Sequence, residues 1–186
     1  MYEAFLRVFD ENANNNITTF NTTEDFLSYY SGHAFCNGLY RLISSSEKNS
    51  WVKRINKLYP ESAGGISPFG VDWLGRCFAI CTDKNYTHFN QVVLFDICAV
   101  DAYVIPLNIS DFHNIELCEH SEEALEKSLF EEWKKKTGKI ITNTECCGLR
   151  IPLFLGGELA FENMEVSDID VYWEIITQVV QSTGSK

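Results

Sequence analysis

The stretch GRCFAICT, residues 75–82, is followed along the chain by QVVLFDICAV, residues 91–100, and AYVIPL, residues 102–107. Val, Ile, Phe and Cys dominate all three segments, and this composition is typical of strands buried in a sheet. The mostly polar residues 83–90 would form the loop between the first two segments. We therefore predict two or three neighbouring strands near the centre of the chain.

Helical patterns lie on both sides of these strands. Ser44 and Glu47 have capping-box spacing, and apolar residues then recur at helical intervals, which predicts a helix at about 45–58 that Pro60 ends. The other predicted elements are a short helix at 5–9, an Asn- and Thr-rich loop at 12–21, a helix capped by Ser121 and ended by Gly138, short strands at 139–142 and 148–155, and a last helix opened by Ser167. The Ser- and Gly-containing stretch 60–68 is too short to separate domains. The mixture predicts an α+β fold, with helices packed on a central, mainly antiparallel sheet in a single compact domain.

The composition indicates a soluble protein. The chain is 45% hydrophobic, which is enough to bury a core in one domain, and its formal net charge is −11. The first twenty residues lack the apolar run of a signal peptide, and no later run approaches the roughly 20 residues that span a bilayer, so we expect a cytoplasmic protein. Because a negative protein is repelled by nucleic acid and by anionic membranes, we expect neither as a partner.

The acidic side chains are concentrated in two stretches. Residues 96–132 hold ten acids and one base, Lys127, and residues 158–174 hold six acids and no base. Two interpretations stay open at this point. The acids could form a solvated surface that keeps the protein in solution, or they could form a binding surface for a cationic partner.

The chain contains no recognisable catalytic constellation. Its seven cysteines are odd in number and scattered through apolar segments, so we expect them to be reduced. Cys77 and Cys81 would share one face of a strand, but no further ligands follow at zinc-site spacing, and we predict neither a metal nor a cofactor. A thiol hydrolase would need a reactive cysteine, with Cys36, Cys77 and Cys118 as candidates. It stays a less favoured alternative to a non-enzymatic protein.

Several longer motifs resemble a known family. They are GLYRL from residue 38, SPFGVDWLGRCFAI from residue 67, FEEW from residue 130, IPLFLGG from residue 151 and ENMEVSDIDVYW from residue 162. In this order they are similar to the C-terminal domain of type VI secretion DNase immunity proteins, which is often joined to an N-terminal GAD-like segment. The resemblance covers roughly residues 38 to 181. It implies a GAD-like helical segment at 1–65 and an immunity-family region at 66–186, joined as one globular unit.

The resemblance implies that the protein binds and neutralises a cognate secreted toxin. A protein without an export signal would meet that toxin in the cytosol, and an acidic inhibitor suits a nuclease, whose substrate groove must be basic. A regulatory interaction domain that is not paired with a toxin is the main alternative. The oligomeric state is left open.

Two sets of residues are singled out as candidates for the interface and for the scaffold. The predicted toxin-binding residues are exposed acids and aromatic anchors outside the shared motifs: Asp83, Tyr86, Phe89, Asp111, Glu116, Glu119, Glu158, Glu162 and Glu165. The predicted structural residues lie within the motifs: Asp72, Trp73, Arg76, Gly156, Gly157 and Trp173. No catalytic or metal-binding residue is predicted.

Overall fold

A computed structural model describes residues 1–10 and 18–184 of the protein. Its centre is an antiparallel sheet of six strands, each hydrogen-bonded to the next in chain order. The strands are β1 (Ala34–Phe35), β2 (Tyr40–Leu42), β3 (Ile66–Asp72), β4 (Cys77–Cys81), β5 (Val92–Asp96) and β6 (Asp101–Ile105). A separate two-stranded antiparallel sheet pairs β7 (Glu145–Leu149) with β8 (Met164–Asp168).

Helices cover both faces of the larger sheet. They are α1 (Glu3–Phe9), α2 (Thr23–Tyr29), α3 (Lys48–Leu58), α4 (Ile109–Asp111), a π-helical turn (Phe112–Glu116), α5 (Leu117–Glu119), α6 (Ser121–Leu125), α7 (Lys127–Thr137) and α8 (Ile169–Thr183). Single 3-10 turns lie at Cys36–Gly38, Pro60–Ser62, Leu153–Leu155 and Phe161–Asn163. The predicted α+β fold, a central antiparallel sheet with helices in one compact domain, is confirmed.

The three strands predicted from the central segments are β4, β5 and β6, and residues 83–90 form the loop between the first two. β3 was not predicted, because Pro68 and Gly70 interrupt its apolar pattern. The pairing register with β4 shifts between these two residues, as in a β-bulge. Gly70 is required here, since the ring of Tyr40 occupies the space that a Cβ would need.

One face of the sheet, which we call the first face, packs against the segments before β1 and after β6. Cross-strand pairing places Gly70, Phe78, Leu94 and Tyr103 on this face. The ring of Phe112, in the π-helical turn, lies 5.0 Å from that of Phe78. The turn also packs against α1, so that residues 3–9 and 109–119 form one layer over the sheet.

His113 is buried within this layer. Its Nε2 lies 3.0 Å from the hydroxyl of Tyr40, and its Nδ1 lies 2.7 Å from the carbonyl oxygen of Ile109. The carbonyl can only accept, so Nδ1 carries the proton and Nε2 accepts from the tyrosine. Burial lowers the pKa of His113 from 6.5 to about 4, and its hydrogen bond to Ile109 only partly offsets this. The imidazole is therefore neutral in the folded protein.

The neutral His113 predicts a loss of stability in acid. Between pH 6.5 and about 4 the unfolded chain binds a proton that the folded protein does not. The contribution of His113 to the free energy of unfolding is therefore fully present above pH 6.5. It is lost as the pH drops towards 4, which lowers the free energy of unfolding by on the order of 3 kcal/mol. Urea unfolding of the wild type and of His113→Gln, across this range, measures the effect. A difference between the two proteins that does not change with pH would contradict it.

The other face of the sheet, the second face, carries Val71, Cys77, Phe95 and Ala102 in cross-strand register. α3 packs against β3 and against α8. Trp51 of α3 and Trp173 of α8 meet edge to face, with ring centroids 5.4 Å apart. The indole N–H of Trp173 also donates to the carbonyl of Gly75 at 2.9 Å, which joins α8 to the turn between β3 and β4.

The predicted helix over 121–138 is two helices. Ser121 is the first helical residue and not a side-chain cap, and Glu126 breaks the helix by adopting a left-handed conformation with φ of 53°. The break lets the carboxylate of Glu122 accept from the backbone N–H and the hydroxyl of Ser128, so that a side chain caps the second helix. Gly138 ends this helix as predicted.

The last helix begins later than predicted. Ser167 lies in β8, and the N-cap is Asp168, whose carboxylate accepts from the N–H groups of Asp170 and Val171. The predicted helix near 45–58 likewise begins at Lys48. The backbone N–H and the hydroxyl of Ser44 donate to the Glu47 carboxylate, but the Glu47 N–H donates to the Ser44 carbonyl and not to its hydroxyl. Up to residue 168, the alternation of polar and apolar side chains indicates a strand, β8, and the helix begins only after it.

The two short strands predicted after residue 138 are absent or mostly absent. Residues 139–142 contain no strand, and 148–155 is strand only at its start, where β7 ends. The predicted loop at 12–21 lies mostly outside the described residues. The predicted boundary between 65 and 66 separates β2 from β3, which are hydrogen-bonded neighbours in the same sheet. None of the described helices is long and apolar enough to cross a membrane.

Candidate functional site

An open groove of about 650 Å³ lies on the second face, over β5 and β6. α3 ends at Leu58, and none of the described residues that line the groove lies in an α-helix. The floor of the groove is apolar and comprises Ile66, Val93, Phe95, Ala102 and Val104. Two short connections form its walls, the turn at 59–65 and the loop at 83–90.

The first wall is held by Tyr59 at the end of α3. Its ring packs on Phe95 with centroids 5.1 Å apart, and its hydroxyl donates to the carbonyl of Asp96 at 3.0 Å. Burial, and then the negative charge of Asp96, raise the pKa of Tyr59 well above its usual range, so the hydroxyl stays protonated. Backbone hydrogen bonds from Gly65 to Ser62 and from Thr82 to Gly65 close the turn onto β4.

The second wall is a compact loop built by local hydrogen bonds. Asp83 accepts from the backbone N–H and the side-chain amide of Asn85, at 2.9 and 3.1 Å. The backbone N–H of Tyr86 donates to the carbonyl of Asp83, and Asn90 takes up a positive φ of 63° as the chain returns to β5. These bonds fix the loop while leaving the Tyr86 ring 59% exposed above the groove.

The rim of the groove is acidic. Glu61 lies in the first wall, Asp83 in the second, and Asp101 at the start of β6. Among the described residues that line the groove, His88 is the one that can carry a positive charge, and none is Lys or Arg. An apolar floor below a ring of carboxylates suits a ligand that presents apolar groups next to cationic ones.

The structure divides the predicted toxin-binding residues among three places. Asp83 and Tyr86 line the groove, and Phe89, 45% exposed, lies in the same loop. Three of the predicted residues lie after β6, in the layer over the first face: Asp111, Glu116 and Glu119. Three others lie in the C-terminal part, at or near the smaller sheet: Glu158, Glu162 and Glu165. The nine residues therefore do not form one surface.

Sequence reasoning missed the other groove residues. Glu61 lies in the turn after α3, whereas Asp101 and Val104 lie in β6, and only the fold brings these two segments together. Val104 lies in an apolar segment that reads as buried, yet its side chain is 41% exposed. No local pattern distinguishes an exposed edge strand from a buried central one when both are apolar.

The predicted structural residues of the β3–β4 turn form one buried network. Asp72 accepts from the Nε of Arg76 at 2.5 Å and from two backbone N–H groups of the turn. The guanidinium also donates to the carbonyl of Ala124 at 2.9 Å, and the indole of Trp73 donates to that of Leu125 at 2.8 Å. These bonds tie the turn to α6 at its C-terminal end.

Gly156 and Gly157 lie in the turn that follows β7. Gly156 has φ of 84°, which an L side chain rarely adopts. At Gly157 the carbonyl of Ile151 occupies the place of a Cβ, and the side-chain amide of Asn163 bonds to that same carbonyl at 2.8 Å. Backbone geometry accounts for both glycines.

Burial makes several of the thiols less acidic, including two of the three candidate nucleophiles, Cys77 and Cys118. Burial raises the pKa of Cys77, Cys98 and Cys118, and it raises that of Cys147 to about 12. A catalytic thiol needs its pKa lowered, not raised. Within residues 1–10 and 18–184, no group of three or more His, Cys, Asp or Glu side chains is placed to hold a metal ion.

Comparison with solved structures shows a similar fold in the crystal structure of Atu4351 from Agrobacterium tumefaciens. The TM-score is 0.62 at 18% sequence identity, over 96% of this chain and 89% of that one. No curated protein matches the sequence. Residues 108–180, from the segment after β6 to α8, match the sequence model of a family described as T6SS immunity protein Tdi1, C-terminal. Over residues 108–180, this match confirms the resemblance to type VI secretion immunity proteins that the sequence motifs indicated.

Proposed function

We propose that the protein is an immunity protein that binds a cognate secreted toxin in the cytosol and neutralises it, and that the toxin is a nuclease. Support for the immunity function comes from the family match over residues 108–180. The observation that carries the binding proposal is the groove over β5 and β6, with its apolar floor and acidic rim. The match begins after β6, so the groove lies outside it, where specificity for one toxin can vary.

The charges favour a basic partner at the groove over one elsewhere on the surface. Several acids of the C-terminal stretch already have cationic partners within the protein, such as Glu165 with Arg150 at 3.1 Å and Glu162 with Lys136 at 3.5 Å. Asp83 and Asp101, by contrast, form no ion pair with any residue that the structure describes. A lysine or arginine of the partner would therefore meet carboxylates that are still available.

A nuclease is the class of toxin that fits these charges. Its substrate groove must be positive to hold the phosphate backbone, and a protein of net charge −11 is attracted to such a surface from a distance. Steering of this kind raises association rates by about 10 to 1,000-fold. The same attraction would bring the groove rim to the toxin's basic residues, where the inhibitor would exclude nucleic acid.

Co-expression with the product of the reading frame adjacent to its gene tests the function. We expect that product to stop growth when it is expressed alone, and to be harmless and to co-purify with this protein when both are present. The matched control is Val104→Arg, which keeps the fold but blocks the groove. We expect this variant no longer to protect cells from the toxin. Toxicity that persists with wild-type protein, and the absence of a complex, would reject the immunity function.

Steering predicts that association depends on salt. We expect the rate constant for toxin association to fall by on the order of 10-fold between about 50 mM and about 500 mM NaCl, because salt screens charges that lie beyond a few ångströms. The dissociation rate should change much less. Stopped-flow or surface-based kinetics at several salt concentrations measures both rates. An association rate that is independent of salt would exclude the electrostatic part of the proposal.

A further inference from the structure

β6 is an open edge of the sheet. Within the part of the chain that the structure describes, it pairs only with β5. Its residues Asp101, Ala102, Tyr103 and Val104 are all exposed, on both faces of the strand. In β5 next to it, Val92 and Phe95 are fully buried. The opposite edge of the same sheet is β1, which is only two residues long and offers little to a further strand.

The unpaired backbone groups of β6 can be assigned from its hydrogen bonds. The N–H of Val92 points towards β6, where it donates to the carbonyl of Leu107, and Val92 lies opposite Ile105 in the register, so Ile105 and the other odd-numbered residues of β6 point their backbone groups towards β5. The N–H of Ala102 donates instead to the side chain of Asp101 at 2.8 Å. Because alternate residues of an antiparallel strand point opposite ways, the backbone groups of Ala102 and Val104 face away from β5. Since the Ala102 N–H is bonded to Asp101, the outward groups offered to a partner strand are the N–H of Val104 and the C=O groups of Ala102 and Val104. Pro106 follows the strand, in a tight turn where the N–H of Leu107 donates to the carbonyl of Ile105 at 2.7 Å, and β6 keeps its pairing with β5 up to Ile105.

The side chains of the same two residues lie in the groove. Ala102 and Val104 belong to its floor, whereas Tyr103 projects from the first face. A strand hydrogen-bonded to β6 would therefore send every second side chain over the groove and the others towards Tyr103. The edge and the groove form one continuous surface for an extended segment.

We propose that the edge of β6 binds an extended segment of the toxin as an additional strand, with alternate apolar side chains in the groove and lysine or arginine beside them. This inference rests on the proposed immunity function and adds the way in which the partner is recognised. The cationic residues would meet the carboxylates of Asp83 and Asp101 on the rim. Backbone pairing would supply the contact along the strand, and the groove would select the side chains.

A second copy of this protein is a poorer occupant of the edge. Pairing β6 with β6 of another copy would bring two acidic rims together, on two molecules that each carry a net charge of −11. Like charges placed opposite each other in a sheet are destabilising. The charges therefore favour a cationic segment of a different protein.

The test uses proline to remove one outward N–H. Val104→Pro deletes a donor that faces away from β5, so β6 should keep its own pairing, as it does beside Pro106. Val104→Thr is the matched control, because it keeps the N–H and a β-branched side chain. With the intact toxin as the probe, we expect Val104→Pro to weaken binding by about 100-fold and Val104→Thr by less than about 10-fold. Thermal unfolding of each variant checks that it is folded.

Amide hydrogen exchange on the wild-type complex gives a second readout that needs no variant. We expect the amide of Val104 to exchange at least about 10-fold more slowly when the toxin is bound. If the toxin binds wild-type protein while this amide stays unprotected and Val104→Pro binds normally, the strand proposal is overturned and the immunity function stands. If wild-type protein binds no toxin, both are overturned. Self-association that Val104→Pro abolishes, with toxin binding unchanged, would assign the edge to a second copy and also overturn the proposal.

Discussion

Asp72→Ala is expected to lower the free energy of unfolding by about 3–5 kcal/mol, because it leaves the buried guanidinium of Arg76 without its counter-ion. Asp72 is almost fully buried and Arg76 is 6% exposed, so water cannot replace the lost carboxylate. The variant also loses the two backbone N–H bonds that shape the β3–β4 turn. Urea unfolding of the variant and the wild type measures the difference.

Asp170→Ala is the matched control for this prediction. Asp170 also pairs with an arginine, Arg54, but on the surface of α8, and it is not the N-cap of that helix. Exposed ion pairs contribute about 0–1 kcal/mol, so this variant should unfold close to the wild type. If both substitutions lower the free energy of unfolding by the same amount, the buried Asp72–Arg76 pair contributes no more to stability than the exposed pair.

Reversing the charge of the groove rim is expected to reduce toxin affinity by about 100-fold or more, because like charges placed face to face at an interface cost several kcal/mol. The variant is Asp83→Lys with Asp101→Lys. Both residues are on the rim, and neither belongs to the buried network. Titration calorimetry or competition binding with the toxin measures the affinity.

The control for rim reversal keeps the same change in net charge at another place. Glu123→Lys with Glu131→Lys alters two exposed acids on α6 and α7, outside the groove. It should slow association modestly through the weaker long-range field and leave the dissociation rate unchanged. If both double variants lose the same affinity, net charge alone explains binding and the groove has no special part in it.

The central strands could be predicted from the sequence because each is a short run of mostly apolar residues. It was insufficient for β3, where Pro68 and Gly70 serve a bulge and the close approach of Tyr40, and where both residues usually indicate a loop. The break at Glu126 was also invisible, since it depends on the capping of α7 by a side chain six residues before Ser128. Such features depend on contacts that local periodicity does not record.

The groove was predicted only in part, for a related reason. The loop at 83–90 could be named from its polarity, and it supplies Asp83 and Tyr86. No motif next to Glu61 or Asp101 marks either residue as part of a site. They meet at one cavity because β6 pairs with β5 and because α3 ends just before Glu61. The acidic stretches of the sequence overlap this rim at Asp101 alone, so charge counting pointed mainly to other parts of the surface.

Inhibition of purified toxin is the most direct measurement of the central claim. The toxin encoded beside this gene is incubated with DNA or RNA while the protein is added in increasing amounts, and the remaining intact nucleic acid is quantified. The proposed function predicts that cleavage stops once the protein is stoichiometric with the toxin, and that the Asp83→Lys, Asp101→Lys variant needs a large excess. Undiminished cleavage at an excess of folded wild-type protein would contradict it.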